Sequence, residues 1–278
     1  MRRRRLRYGP HRSQVASLYL PSRRVGDGEK LPVVVLIHGG FWRSYYTKVL
    51  MAGLARSVVA RGWAAWNVEY RRLGRIGGGG GYPETFDDVA AATDHLASVG
   101  GLDLDRVVAC GHSAGGHLAL WLAARHRLPT DAPGTPVRVP VSGVVTLAAL
   151  SNLGDLDATS RAGERTVRFM GGNAAGEPMR WEIATPIEHL PLGVPQVLVH
   201  GLDDRAVPPA WSENYVRRAM DAGDPAVYVP VAGVGHQNIL RASGAGWRAA
   251  LPHLERMLDD RSGDGAAGGP AGWKPQLP

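Results

Sequence analysis

Short, unbroken runs of apolar and β-branched residues recur along this chain, separated by amphipathic stretches of helical length. The segment 31–37, Leu-Pro-Val-Val-Val-Leu-Ile, is the clearest run. A strand covered on both faces needs an apolar side chain at nearly every position, because successive side chains point to opposite faces. The pattern predicts strands at 31–37, 63–70, 107–110, 141–150, 194–200 and 226–231. Helices are predicted at 48–61, 85–99, 114–126, 209–222 and 239–259, with Gly62 and the pair Gly100-Gly101 as stops. Strands alternating with helices predict an α/β fold: a mostly parallel central sheet with helices on both faces.

The alternation fails in three places. Residues 151–193 carry no strand pattern and are broken by Gly171, Gly172, Pro178, Pro186 and Pro191, which predicts an irregular insertion lying over the site. Five consecutive glycines, 77–81, lack the Gly-Lys-Ser/Thr that a phosphate cradle requires, so a mobile loop beside the pocket is expected. From Arg261 onward the composition is that of a disordered tail. The expected organisation is a basic segment at 1–24, one domain at 25–260 and a tail at 261–278.

Charge changes this picture little. The net formal charge of +7 suggests nucleic acid, but residues 1–24 hold eight arginines and no acid, and the other 254 residues carry 24 bases against 25 acids. The arginines are read as a solvated tail, with no nucleic acid as partner. The basic start runs into Tyr8-Gly9-Pro10-His11, not an apolar segment, so it does not read as a secretion signal. Apolar runs of strand length predict no membrane contact. The single cysteine, Cys110, forms no internal disulfide and suits a reducing cytoplasm.

Chemistry concentrates where the predicted strands end, the place where ligands bind in such sheets. Gly111-His-Ser-Ala-Gly115 closes one strand and opens a helix, the signature of a nucleophile elbow with Ser113 at its tip. A serine hydroxyl needs a base within hydrogen-bond reach, itself oriented by a carboxylate. His236, just past the strand at 226–231, is the candidate base. Asp203 and Asp204 both follow the strand at 194–200, and Asp204 is the better acid because Val207-Pro208 then fixes the chain direction. The developing oxyanion needs backbone N–H donors, for which Ala114 and the turn Gly39, Gly40, Phe41 are candidates. Trp42, Tyr82 and Trp181 are candidates to line an acyl or aryl pocket. His112, His117 and His200 lack metal-ligand spacing and are read as local hydrogen-bonding residues, and Glu69 as a structural acid. No metal and no cofactor are expected.

Four segments together, His38-Gly-Gly-Phe-Trp42, Gly111-His-Ser-Ala-Gly-Gly-His-Leu118, His200 to Pro208, and Gly235-His236, resemble the α/β-hydrolase superfamily over residues 30–258. Within it they are similar to the group of hormone-sensitive-lipase-like esterases, kynurenine formamidases and BD-FAE-type esterases. The resemblance implies an α/β-hydrolase fold and a serine hydrolase acting through Ser113, Asp204 and His236 on a small-molecule ester or activated amide. A carboxylesterase is the first expectation and an arylformamidase acting on N-formylkynurenine the second. Rival readings are an exopeptidase-like hydrolase and a non-catalytic binding protein on the same scaffold. A homodimer is the only protein partner anticipated.

Overall fold

Two strands precede the six that the apolar runs predict: β1 (Arg2–Arg7) and β2 (Val15–Leu20). The others are β3 (Leu31–Ile37), β4 (Ala64–Val68), β5 (Leu102–His112), β6 (Gly143–Leu147), β7 (Gln196–Gly201) and β8 (Ala226–Val231). A computed structural model describes residues 1–22, 29–75, 78–156 and 159–259. The strands form one sheet in the order β1-β2-β4-β3-β5-β6-β7-β8. The β1–β2 and β2–β4 pairs are antiparallel and every later pair is parallel.

The side-chain alternation splits each central strand between two cores. Val33, Val35, Ile37, Val107, Ala109 and Leu198 face one side, where α2 (Glu84–Asp94), α3 (Ala114–Ala124) and α6 (Pro209–Asp221) pack. Val34, Leu36, Val108, Cys110, Val197 and Val199 face the other, under α1 (Ala52–Ala60) and α7 (Ala245–Asp259). All of these strand residues are fully buried, each side chain contributing about 1.5–3 kcal/mol when large and aliphatic. Cys110 is among them, and burial pushes its thiol up to about 12, so it is a packing residue.

Three expectations need correction. The basic start is no solvated tail, since Arg2, Arg3, Arg4, Arg5 and Arg7 lie on the edge strand β1, where side chains need not be buried. Arg3 donates to Ser17 Oγ at 3.2 Å and lies over the Tyr19 ring, while an edge lined with charge resists pairing with another sheet. The insertion is helical, with α4 (Arg161–Met170) and α5 (Pro178–Ala184). Ser160 caps α4 by accepting from Gly163 N, Gly171 ends it in the left-handed region, and Thr166, Phe169 and Met170 turn inward. The glycine run is packed closely against its neighbour: a Cβ on Gly80 would lie 2.3 Å from the Arg71 carbonyl, and Gly80 N donates to Arg72 O. Gly77 and the expected tail at 261–278 lie outside the described residues.

Buried polar contacts tie the sheet's antiparallel edge to the remainder. Asp88 on α2 is fully buried and accepts from Arg71 N, Nε and Nη2 and from Gln14 Nε2. Hydrogen bonds from that many donors offset the cost of burying a carboxylate.

Candidate active site

Ser113 sits between the last residue of β5 and the first of α3, with φ 54° and ψ −121°. That conformation is strained for any residue with a side chain, and close packing holds it. A Cβ on Gly111 would lie 2.0 Å from Gly115 O, and one on Gly115 would lie 2.2 Å from Ile37 O. No side chain fits at either place. Ser113 N donates to Leu147 O at 2.9 Å, which fastens the turn to the neighbouring strand.

Ser113 Oγ lies 3.1 Å from His236 Nε2, and His236 Nδ1–H donates to Asp204 Oδ2 at 2.7 Å. Residues on three different strand ends thus share one chain of hydrogen bonds. Asp204 has a buried side chain, and its other oxygen accepts from Ala206 N at 2.8 Å and Val207 N at 2.9 Å. Burial alone would raise its pKa, but the hydrogen bonds from His200, His236 and Val207 N–H outweigh it and hold the carboxyl well below the usual range. With the Nδ1 proton held in the hydrogen bond to Asp204, the Nε2 lone pair of His236 faces the serine. Asp203 is exposed.

Two histidines not assigned to the site support it from behind. His200 Nε2–H donates to Asp204 Oδ2 at 3.2 Å and Val207 O at 3.1 Å, while Ser212 Oγ lies 2.7 Å from Nδ1. His112 Nε2–H donates to the His236 carbonyl at 3.0 Å and fixes the loop that carries His236. The spacing His200 to Asp204 and the position of His112 beside the serine were visible in the sequence. Their use depends on which way each ring points, which adjacency does not tell.

The turn after β3 approaches the elbow closely: a Cβ on Gly39 would lie 2.9 Å from Ser113 Cβ. Gly40, Phe41 and Trp42 all have positive φ, coiling this turn beside the N-terminus of α3. Among the described residues, no hydrogen bond takes up the N–H of Gly39, Gly40, Phe41 or Ala114. Free N–H groups at a helix N-terminus form an environment suited to negative charge.

A buried network holds that turn. His38 spans Gly39 O at 2.8 Å and Glu69 Oε1 at 2.9 Å, stacks on Tyr70, and its carbonyl accepts from Tyr70 Oη at 2.7 Å. Glu69 also receives Arg72 Nη1 at 3.0 Å and Lys48 N at 3.1 Å. Burial would raise the Glu69 pKa, but these donors, His38 foremost, bring it below the ordinary value. Glu69 is therefore the structural acid that was expected. Glu69→Gln removes the charge and turns one oxygen into a donor facing other donors. The expected result is a loss of about 3–5 kcal/mol in urea unfolding, and a fall in turnover of up to about a hundredfold as the oxyanion donors shift.

Of the three candidate pocket aromatics, Trp42 is corrected. It is fully buried, stacked on Phe169 at 4.0 Å with its edge contact to His117, so it is the floor on which the insertion docks. Positive φ at residue 42 turns the ring inward, a reversal that sequence order conceals. Tyr82 and Trp181 are half-buried; Arg180 lies over the Tyr82 ring, and Trp181 Nε1 donates to Gly172 O. Among the described residues there is no group of His, Cys, Asp and Glu able to hold a metal ion.

Burial pushes His112 down to about 3 and His117 down to about 4. Unfolded histidine titrates near 6.5, so below that pH the unfolded chain binds more protons than the native one. This contribution to stability is complete above about pH 6.5 and is lost as pH falls toward the folded values. Tm is expected to drop steadily between about pH 6.5 and 4. His117→Gln, whose amide can still donate to Ala184 O as His117 Nε2 does, should flatten that slope in melting curves run across the range.

The sheet, its flanking helices and a serine–histidine–aspartate chain at the strand ends define an α/β-hydrolase. The BD-FAE family model matches residues 17–218, and the chain belongs to that family. Esterase LipQ of Mycobacterium tuberculosis is 25% identical over 236 residues, covering 77% of this chain and 55% of its own length. The chain spans about half the length of the curated relatives it matches. A truncated carbohydrate esterase from gut microbiota superposes with a TM-score of 0.76 at 17% identity, over 91% of this chain and 95% of its own. Propionate-bound esterase 2 of Thermogutta terrifontis superposes with a TM-score of 0.74 at 19% identity, over 92% and 93% of the two chains. These superpositions identify the fold. No described helix is long and apolar enough to cross a membrane.

Proposed function

We propose that the chain hydrolyses a small carboxylic ester through an acyl-enzyme. The observation that carries this reading is the Ser113–His236–Asp204 chain at 3.1 and 2.7 Å, with the serine strained at φ 54°. His236 Nε2 takes the Ser113 proton as Oγ bonds to the substrate carbonyl carbon, and the carbonyl oxygen becomes an oxyanion. The N–H groups of Ala114 and of the turn Gly39 to Phe41 receive that charge. His236 then protonates the leaving alcohol as the ester C–O bond breaks. In the second half a water gives its proton to His236 and its oxygen to the acyl carbon, releasing the acid and restoring Ser113.

Family membership and the esterase names of the matched relatives support the ester as substrate. A single buried cysteine fits a reducing compartment, and we place the protein in the cytoplasm. The test is labelling with a fluorophosphonate, followed by a panel of 4-nitrophenyl esters of increasing acyl length run beside N-formylkynurenine. Label on Ser113 and turnover of short esters are expected. An unlabelled Ser113 in folded protein would return the chain to the binding-protein reading, and a strong preference for the formamide would replace the ester by the activated amide.

A further inference from the structure

A cleft of about 540 Å³ opens beside the oxyanion turn and starts at Phe41. Its volume is within the range of small-ligand sites. Phe41 lies two positions beyond Gly39, the glycine packed on Ser113, so the cleft begins within about 7 Å of chain from that glycine. Phe41, Tyr45, Arg43, Arg75, Arg165 and Arg168 line it, and among the described residues no acidic one does.

Among the described residues no carboxylate forms an ion pair with any of these four arginines. Two are aimed by ring contacts: Arg43 lies 5.1 Å from the Tyr45 ring centre and Arg165 lies 6.0 Å from that of Phe41. Arg165 and Arg168 are three apart on α4 and so share one helix face. Bulk charge does not explain the cluster, since beyond residue 24 bases and acids are balanced. Four like charges around one small cleft repel one another until an anion enters, and a guanidinium fork matches a carboxylate in two hydrogen bonds.

We infer that this cleft is a subsite for a carboxylate carried by the substrate, which makes the preferred substrate an anionic ester of small size. The inference rests on the hydrolase reading and adds the substrate's charge to it. The insertion supplies Arg165 and Arg168, so it sets specificity while the sheet ends supply chemistry.

The test compares kcat/KM for two matched pairs, the anion being on the acyl side in one and on the leaving group in the other. The pairs are 4-nitrophenyl hemisuccinate with 4-nitrophenyl butyrate, and 3-butyryloxybenzoate with phenyl butyrate. At least one anionic ester is expected to exceed its neutral partner about tenfold, and Arg165→Gln/Arg168→Gln should remove that advantage, the worth of one charge-assisted contact. Arg165→Lys/Arg168→Lys should restore part of it. Neutral esters that match or exceed the anionic ones in both pairs, or an advantage untouched by the glutamine pair, would overturn the subsite. Calorimetric titration of Ser113→Ala with 4-nitrophenyl hemisuccinate reads the cleft without turnover, and its affinity should fall about tenfold in the same glutamine pair; an unchanged affinity counts against the subsite. Failure of the hydrolase reading shows separately, as absence of fluorophosphonate label.

Discussion

Ser113→Ala should lower kcat by about 10⁵–10⁶-fold and abolish fluorophosphonate labelling while leaving the melting curve close to that of the parent. Alanine keeps the Cβ that already occupies the strained φ of 54°, so the elbow's packing is unchanged and only the hydroxyl is lost. His236→Ala should cost a similar factor, and the double variant little more, because nucleophile and base act on one proton as a unit. The measurement is single-turnover and steady-state hydrolysis of the best short ester for the two single variants and the double. Retention of activity within about tenfold in Ser113→Ala would mean that another group attacks the carbonyl, and additive losses would mean that Ser113 and His236 work in separate steps.

Asp204→Asn is expected to lower kcat about 10⁴-fold and, unlike the serine variant, to lower Tm as well. The reason is the donor count. One carboxylate oxygen accepts from two backbone N–H groups and the other from two histidine rings, so an amide NH2 faces donors whichever way it turns. Holding the wrong face to His236 also favours the tautomer with the proton on Nε2, which cannot take one from Ser113. Asp203→Asn is the matched control, since Asp203 is exposed and should retain activity within a factor of about two. Kinetics and thermal melts of the pair decide which adjacent carboxylate orients the base; equal losses at both positions would reject the assignment of Asp204.

The central strands were legible because burial on both faces demands an unbroken apolar run, and β8 falls on the predicted span 226–231. Ser113, His236 and Asp204 were legible because sheet folds of this type place ligand-binding loops after their strands. β1 was not legible, since an exposed edge strand needs no apolar face and its partner β2 supplies the pairing. The helices of the insertion were hidden by prolines and glycines that cap and start helices in this chain as readily as they break them.

Local pattern by itself therefore determined the strand–helix alternation, the elbow at Ser113 and the choice of Ser113, His236 and Asp204 as candidates, because each is marked by its own short segment and its place after a strand. Tertiary packing alone decided how those residues are held and what surrounds them. Only the fold brings His200 onto Asp204, His112 onto the loop of His236 and Glu69 onto His38, and only it sinks Trp42 beneath Phe169. The same holds for the arginine-lined cleft, whose members come from the oxyanion turn, the segment after β4 and the insertion. Side-chain direction and the meeting of distant segments are set by packing of the whole sheet and its layers, which no short window of sequence encodes.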